Sequence, residues 1–276
     1  MNRPMLTVKA GIAAALLALA LPDAARAGQF VEFDNGAEGS VHVRLAAYLA
    51  LPRSAGPHPA VVLLHGCGGF HAQMLSWADR LSRWGYVALA VDSFGPRGIS
   101  VRCGGFGEQP ADSYAALHYL ATRPFVDTTR VAVMGFSMGG ISVLRDLERG
   151  RPVALQPQEF RAGIAFYPDC AGSSGFMTAP VLLLIGQADD WTPASACEAM
   201  VAGKGDIGIS RQPGDRSAVQ LVVYPGAYHA FDVVDLSLFP SQAVTFLGHR
   251  LEYNEAVTKD AIEHVRRFLE HTLAAP

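Results

Sequence analysis

The feature that most restricts this chain is the run VAVMGFSMGG at 131–140, an apolar β-type stretch that turns through Gly135, Ser137 and Gly139 into a helix-like segment. A GxSxG spacing alone recurs by accident. Between a strand and a helix at mid-chain, it specifies a sharp turn that lifts the serine oxygen above a sheet, while the glycines keep side chains out of a crowded space. The following helix aims its N-terminus at the same spot, so the N–H of Met138 can donate to a developing oxyanion. Ser137 is therefore a candidate nucleophile.

The rest of the chain alternates in the way such a turn requires. Continuous apolar runs predict strands at 60–64, 87–91, 130–134, 163–167, 181–185 and 219–223, and helices are expected over 73–84, 111–122, from about 138, at 194–201 and over 258–273. Strands without polar alternation are buried on both faces. The pattern implies an α/β fold, one mostly parallel sheet covered by helices on both faces, forming a single domain over 28–276. Residues 30–51 read as short strands that open the sheet, with a hairpin-favouring turn at Asn35 and Gly36. Segments 150–160 and 203–217 lack periodicity and read as surface loops. With 276 residues, half of them hydrophobic, one core accounts for everything.

A serine hydroxyl attacks poorly until a base takes its proton, so a histidine oriented by an acid is needed. Both candidates lie beyond strands. GQADDWTP places Asp189 and Asp190 after the strand at 181–185, and YPGAYHAFD places His229 after the one at 219–223. In a parallel sheet these strand ends share one side with Ser137, where ligand sites form. Ser137, Asp189, His229 is also the chain order of the α/β-hydrolase triad.

Taken in order, HGCGGF, VDSFGPRG, GFSMGG, GQADDWTP and YPGAYHAFD make the chain similar to the dienelactone hydrolase family of α/β-hydrolases, over nearly all of its length after residue 27. The resemblance implies an α/β-hydrolase fold and an acyl-enzyme mechanism on a small ester or lactone, with no cofactor and no metal. In related hydrolases the catalytic aspartate precedes a proline by four positions, which selects Asp189 and leaves Asp190 as a solvated or capping carboxylate. The same resemblance makes the N–H of Cys67 the second oxyanion donor. Two departures narrow what carries over. The family proper has a cysteine where this chain has Ser137, and it holds a substrate carboxylate with two arginines. Arg97 matches the first arginine, but the second would fall at Val233, which cannot make a charge-assisted pair. The match is to a dienelactone-hydrolase-like esterase.

Other residues near these motifs admit two readings each. Trp191, Phe231, Phe70 and His71 either line the substrate pocket or pack loops. His65 either orients the oxyanion loop or is a hydrogen-bonded structural histidine. Cys103 is a reactive thiol or a disulfide partner, and Asp92 and Asp232 are expected to fix local loops. Zinc is disfavoured, because no two cysteines lie two to four residues apart and no histidine pair has ligand spacing.

Residues 1–27 read as a secretory signal: Arg3 and Lys9, an apolar run at 10–21, then Ala25-Arg26-Ala27, with cleavage expected after Ala27. The run falls short of the roughly 20 residues that span a bilayer, and no lipobox cysteine follows; an uncleaved anchor is the alternative. Export permits disulfides among Cys67, Cys103, Cys170 and Cys197. Of three possible pairings, the topology favours Cys67 with Cys103 and Cys170 with Cys197, each pair on neighbouring loops at one sheet edge. A net charge of -3 without any Lys/Arg block offers no footprint for nucleic acid or, after signal cleavage, for a membrane. The expected partner is a small-molecule ester or lactone, and oligomeric state is not legible. Two rival readings use the same fold: a peptidase or amidase, and a catalytically silent binding protein.

Overall fold

The computed structural model describes residues 28–36, 42–105, 107–150, 158–203, 219–239 and 241–275. The expected signal segment 1–27, and residues 151–157 and 204–217 of the two expected surface loops, lie outside the described residues.

Eight strands form the main sheet: β1 (Gln29–Asp34), β2 (Arg44–Ala50), β3 (His58–Leu64), β4 (Val87–Asp92), β5 (Val126–Phe136), β6 (Ala162–Phe166), β7 (Val181–Gly186) and β8 (Val219–Tyr224). Their order is β1-β2-β4-β3-β5-β6-β7-β8. From β4 to β8 every pairing is parallel, and β2 runs antiparallel to both β1 and β4. The antiparallel pair β1 and β2 opens the sheet, with Asp34 opposite Arg44 and the side chain of Asn35 accepting from the N–H of Val43, so the chain does not make the tight reversal expected at Asn35 and Gly36; residues 37–41 of the connection lie outside the described residues. All of Val61, Val62, Leu63 and Leu64, and likewise Val181 to Ile185, are buried, as a strand covered on both faces demands.

Helices α1 (Ala72–Arg83), α2 (Gln109–Ala121), α3 (Met138–Leu147), α4 (Ala194–Val201) and α5 (Glu255–Thr272) supply that cover. Side-chain parity on β6 assigns the faces. A Cβ on Gly163 would run into Val143 and Leu147 of α3, whereas Phe166, an odd number of residues on, packs edge-on at 5.4 Å against Trp77 of α1. The sheet is thus sandwiched between α1 and α3. Helix α5 starts three residues earlier than its periodicity suggests, because the side chain of Asn254 caps the N–H of Val257.

Both expected disulfides are formed, Cys67–Cys103 and Cys170–Cys197. The first ties the loop after β3 to the loop before α2, and the second ties the loop after β6 to α4. One element was not expected. Between β8 and α5 the chain makes a second sheet, the hairpin β9 (Ala243–Phe246) and β10 (His249–Glu252), turning at Leu247 and Gly248, both with positive φ. Among the described residues no helix is long and apolar enough to cross a membrane.

Candidate active site

Parallel strands β3 to β8 deliver six loops to one edge of the sheet, and the candidate residues come from these loops. Ser137 stands between β5 and α3 with φ 53° and ψ -115°, a conformation that L-residues rarely adopt and that projects its side chain out of the turn. Such a turn leaves no room beside it. A Cβ on Gly135 would meet the carbonyl of Gly139, and one on Gly139 would meet the carbonyl of Leu64.

The hydroxyl of Ser137 lies 3.0 Å from Nε2 of His229, and Nδ1 of His229 lies 2.7 Å from Oδ2 of Asp189. His229 is 2% and Asp189 4% exposed. The carboxylate accepts at both oxygens: Oδ1 from the N–H groups of Trp191 and Thr192, each at 2.9 Å, and Oδ2 from the Thr192 hydroxyl and His229. Burial pushes the Asp189 carboxyl upward, but these donors outweigh it and hold it below the ordinary carboxylate range. With Asp189 charged, Nδ1 carries the imidazole proton and Nε2 is left to accept from Ser137. Asp190, one residue on, is exposed, accepting from the N–H of Arg250 at 3.2 Å and facing His249 at 3.7 Å.

The two expected oxyanion donors are Met138, the first residue of α3, and Cys67, on the loop after β3. The N–H groups of Met138 and Cys67 donate to no acceptor among the described residues, and their side chains pack together with Phe94 in one small buried cluster. Behind the Cys67 loop, burial lowers His65 below the ordinary histidine range and keeps its ring neutral. Its Nδ1 donates to the carbonyl of Gly66 at 2.7 Å and its Nε2 accepts from Ser93 at 3.2 Å. Gln109 of α2 donates to the His65 carbonyl at 2.9 Å and accepts from Ser142 of α3. His65 is accordingly a packed, hydrogen-bonded residue that shapes this loop.

A cavity of about 350 Å³ opens in front of Ser137, walled by Cys67, Val101, Trp191, Val233, Phe246 and Leu251 among others. Trp191 lies where the sequence suggested, 5.1 Å ring to ring from His229 and stacked on His249. His71 also lines the cavity. Three expected pocket residues do not. Phe231 is fully buried among Phe166, Tyr167 and Tyr224, because the turn after His229 directs it into the core. Arg97 is fully engaged elsewhere: its fork grips both oxygens of buried Asp112 at 2.8 Å, and it donates to the Ser93 carbonyl as well. Phe70 packs toward Phe30 and is not among the lining residues.

Sequence reasoning passed over several participants. The β9–β10 hairpin brings Phe246 and Leu251 over the pocket, and the N–H of Glu252 donates to the carbonyl of His229 at 3.0 Å, so the hairpin grips the histidine loop directly. Its strands have four residues each, and Gly248 is the one local signal of the turn. Tyr167, with positive φ, lays its ring 4.6 Å from His229, and its hydroxyl donates at 2.7 Å to Asp232. Asp232 does more than fix its own loop: it also accepts from Gln73 and Trp77 of α1, each at 2.9 Å. Burial raises its pKa against all three donors. Asp92 holds the next turn locally, accepting from Phe94 and Gly95. No group of histidine, cysteine and acidic side chains among the described residues could hold a metal ion.

A model of the dienelactone hydrolase family matches residues 45–273. A Bradyrhizobium protein named "Probable 2-oxo-3-(5-oxofuran-2-ylidene)propanoate lactonase" is 25% identical over 209 residues, which cover 67% of this chain and 78% of the relative. A Methylorubrum extorquens protein named "Putative carboxymethylenebutenolidase" is 26% identical over 218 residues, 68% of each chain. Among solved structures, a dienelactone hydrolase-like promiscuous phosphotriesterase from metagenomic libraries superposes with a TM-score of 0.68 at 20% identity, covering 90% of this chain and all of the other. At that identity the structural likeness is one of fold.

Proposed function

The chain belongs to the dienelactone hydrolase family and is a carboxylic ester hydrolase, and from that premise we propose that it is an exported enzyme that opens small esters or lactones through Ser137, His229 and Asp189. The observation that carries this reading is the unbroken hydrogen-bond chain from Ser137 through His229 to Asp189 at the mouth of an apolar cavity.

His229 takes the Ser137 proton as the oxygen bonds to the substrate carbonyl carbon. Met138 and Cys67 donate their N–H groups to the resulting oxyanion, and Asp189 stabilises the imidazolium without taking its proton. The carbon–alkoxy bond then breaks and His229 delivers the proton to the departing alcohol. A water molecule, deprotonated by the same histidine, adds to the acyl carbon. Collapse frees the carboxylic acid and returns the proton to Ser137.

Export rests on two disulfides, which persist in oxidising compartments, and on the signal-like order of residues 1–27. The mature enzyme is then a single domain over 28–276, and the intact mass of secreted protein should begin at Gly28. For the chemistry, the mature protein is incubated with a fluorophosphonate probe and with p-nitrophenyl acetate, beside Ser137→Ala. Labelling and turnover in the wild type, both lost in the variant, are expected. A wild type that neither labels nor turns over the ester would overturn the proposal.

A further inference from the structure

We propose that the cavity in front of Ser137 admits esters of uncharged, apolar acids and turns away acyl groups that carry a second carboxylate. The inference rests on the serine-hydrolase reading and adds the class of acid to it.

An anionic acyl group would need a cation or free N–H and O–H donors on the wall. Among the described residues the lining holds no arginine or lysine, and its bulk is Val101, Trp191, Val233, Leu236, Phe246 and Leu251. Two of the polar side chains that reach the wall, Gln73 and Tyr167, are committed elsewhere. The amide N–H groups of Gln73 go to the hydroxyl of Tyr167 at 3.0 Å and to Asp232 at 2.9 Å, and the Tyr167 hydroxyl spends its own proton on Asp232. His71 and Trp191 remain, and they offer uncharged N–H donors only, since burial lowers the pKa of the His71 ring. Arg97, the nearest arginine by sequence, is locked to Asp112.

The charges around the cavity reinforce this. Behind His229 stands the charged Asp189, and Asp235, two residues along the chain from Val233 of the wall, acts on His71. A second carboxylate would therefore leave water, find no cation among the described lining residues and face negative charge. An apolar group in the same volume meets van der Waals surface throughout. The β9–β10 hairpin supplies part of that surface, and its bond to the His229 carbonyl fixes it against the reacting centre.

The test compares two near-isosteric substrates on the mature enzyme near neutral pH: p-nitrophenyl 4-methylpentanoate and p-nitrophenyl hemisuccinate, in which a carboxylate replaces the terminal isopropyl group. The neutral ester is expected to show at least a tenfold higher kcat/KM. The ratio should persist in about 0.5 M NaCl, which screens long-range repulsion but not a desolvated contact. Val233→Arg, which places a cation on the wall, should narrow it at least threefold. Equal turnover of the two esters by the wild type overturns this inference alone. Loss of both esters, with no fluorophosphonate labelling of Ser137, overturns the serine-hydrolase reading and this one with it.

Discussion

Replacing Asp189 by asparagine tests the site most sharply, because the surrounding donors dictate which way the amide must face. Oδ1 accepts two backbone N–H groups, from Trp191 and Thr192, and only an oxygen can occupy that position. The NH2 group is forced into the place of Oδ2, 2.7 Å from Nδ1 of His229. An amide donor there obliges Nδ1 to accept, so the imidazole proton moves to Nε2, which faces the Ser137 hydroxyl at 3.0 Å. A protonated Nε2 cannot take the serine proton. The same tautomer trap in the serine-protease template lowers kcat by about four orders of magnitude, or roughly 5.5 kcal/mol of transition-state stabilisation at 1.36 kcal/mol per decade. A loss of about 10³–10⁴ in kcat is expected here, with KM for p-nitrophenyl acetate changed far less. The fold should survive, since Thr192 can turn its hydroxyl to the Tyr167 carbonyl at 3.1 Å and accept from the new amide. Stopped-flow labelling by a fluorophosphonate would report the same loss independently of substrate binding. Asp190→Asn, whose polar partners among the described residues are Arg250 and His249, is the control and should stay within a few-fold of wild type. An Asp189→Asn enzyme within tenfold of wild type, or a crippled Asp190→Asn, would refute the reasoning.

Three further outcomes follow from the packing. Gly139→Ala drives a methyl into the Leu64 carbonyl at the turn that holds Ser137, so it should cost roughly 3 kcal/mol or more by denaturant midpoint and abolish labelling of any folded fraction. Cys103→Ser opens a disulfide spanning 36 residues, worth roughly 4 kcal/mol by loop-closure entropy, and releases the loop that carries the Cys67 N–H. Its kcat should fall more than that of Cys197→Ser, whose disulfide spans 27 residues on the other side of the site; equal effects on kcat would count against a positioning role for the first. Asp146 is fully buried and Ser113 sits between it and the Pro110 carbonyl at 2.7 and 2.8 Å, yet one hydroxyl proton cannot serve both, so the carboxyl supplies its own. Burial raises its pKa well above the ordinary value, which means its contribution is intact below the unfolded pKa and is lost as pH rises toward the folded one. Asp146→Asn, whose N–H can replace the carboxyl proton on Ser113, should remove that decline and add about 1–3 kcal/mol near neutral pH, read from chemical denaturation between pH 4 and 8.

What the sequence determined by itself is local or strictly ordered along the chain. Buried parallel strands announce themselves as unbroken apolar runs, so β3 to β8 and their helices were legible. GxSxG needs only its own strand, turn and helix to define Ser137, and chain order then singled out His229. Parallel topology puts strand ends on one side, which is why the two disulfide pairings could be favoured before any distance was known. Other matters required the tertiary structure. Arg97 sits in a motif that matches an arginine role, but whether its fork faces a substrate or Asp112 depends on α2, which comes later in the chain. Phe231 and Trp191 look alike as aromatic residues beside candidate site residues, and backbone direction after His229 buries one while the other forms the wall. The β9–β10 hairpin was hidden because strands of four residues carry almost no period, and what stabilises this one is its bond to the His229 loop. Periodicity and turn chemistry act between neighbours in the chain; the composition of a pocket wall is set by residues from distant loops, and only the packed structure decides which of them meet.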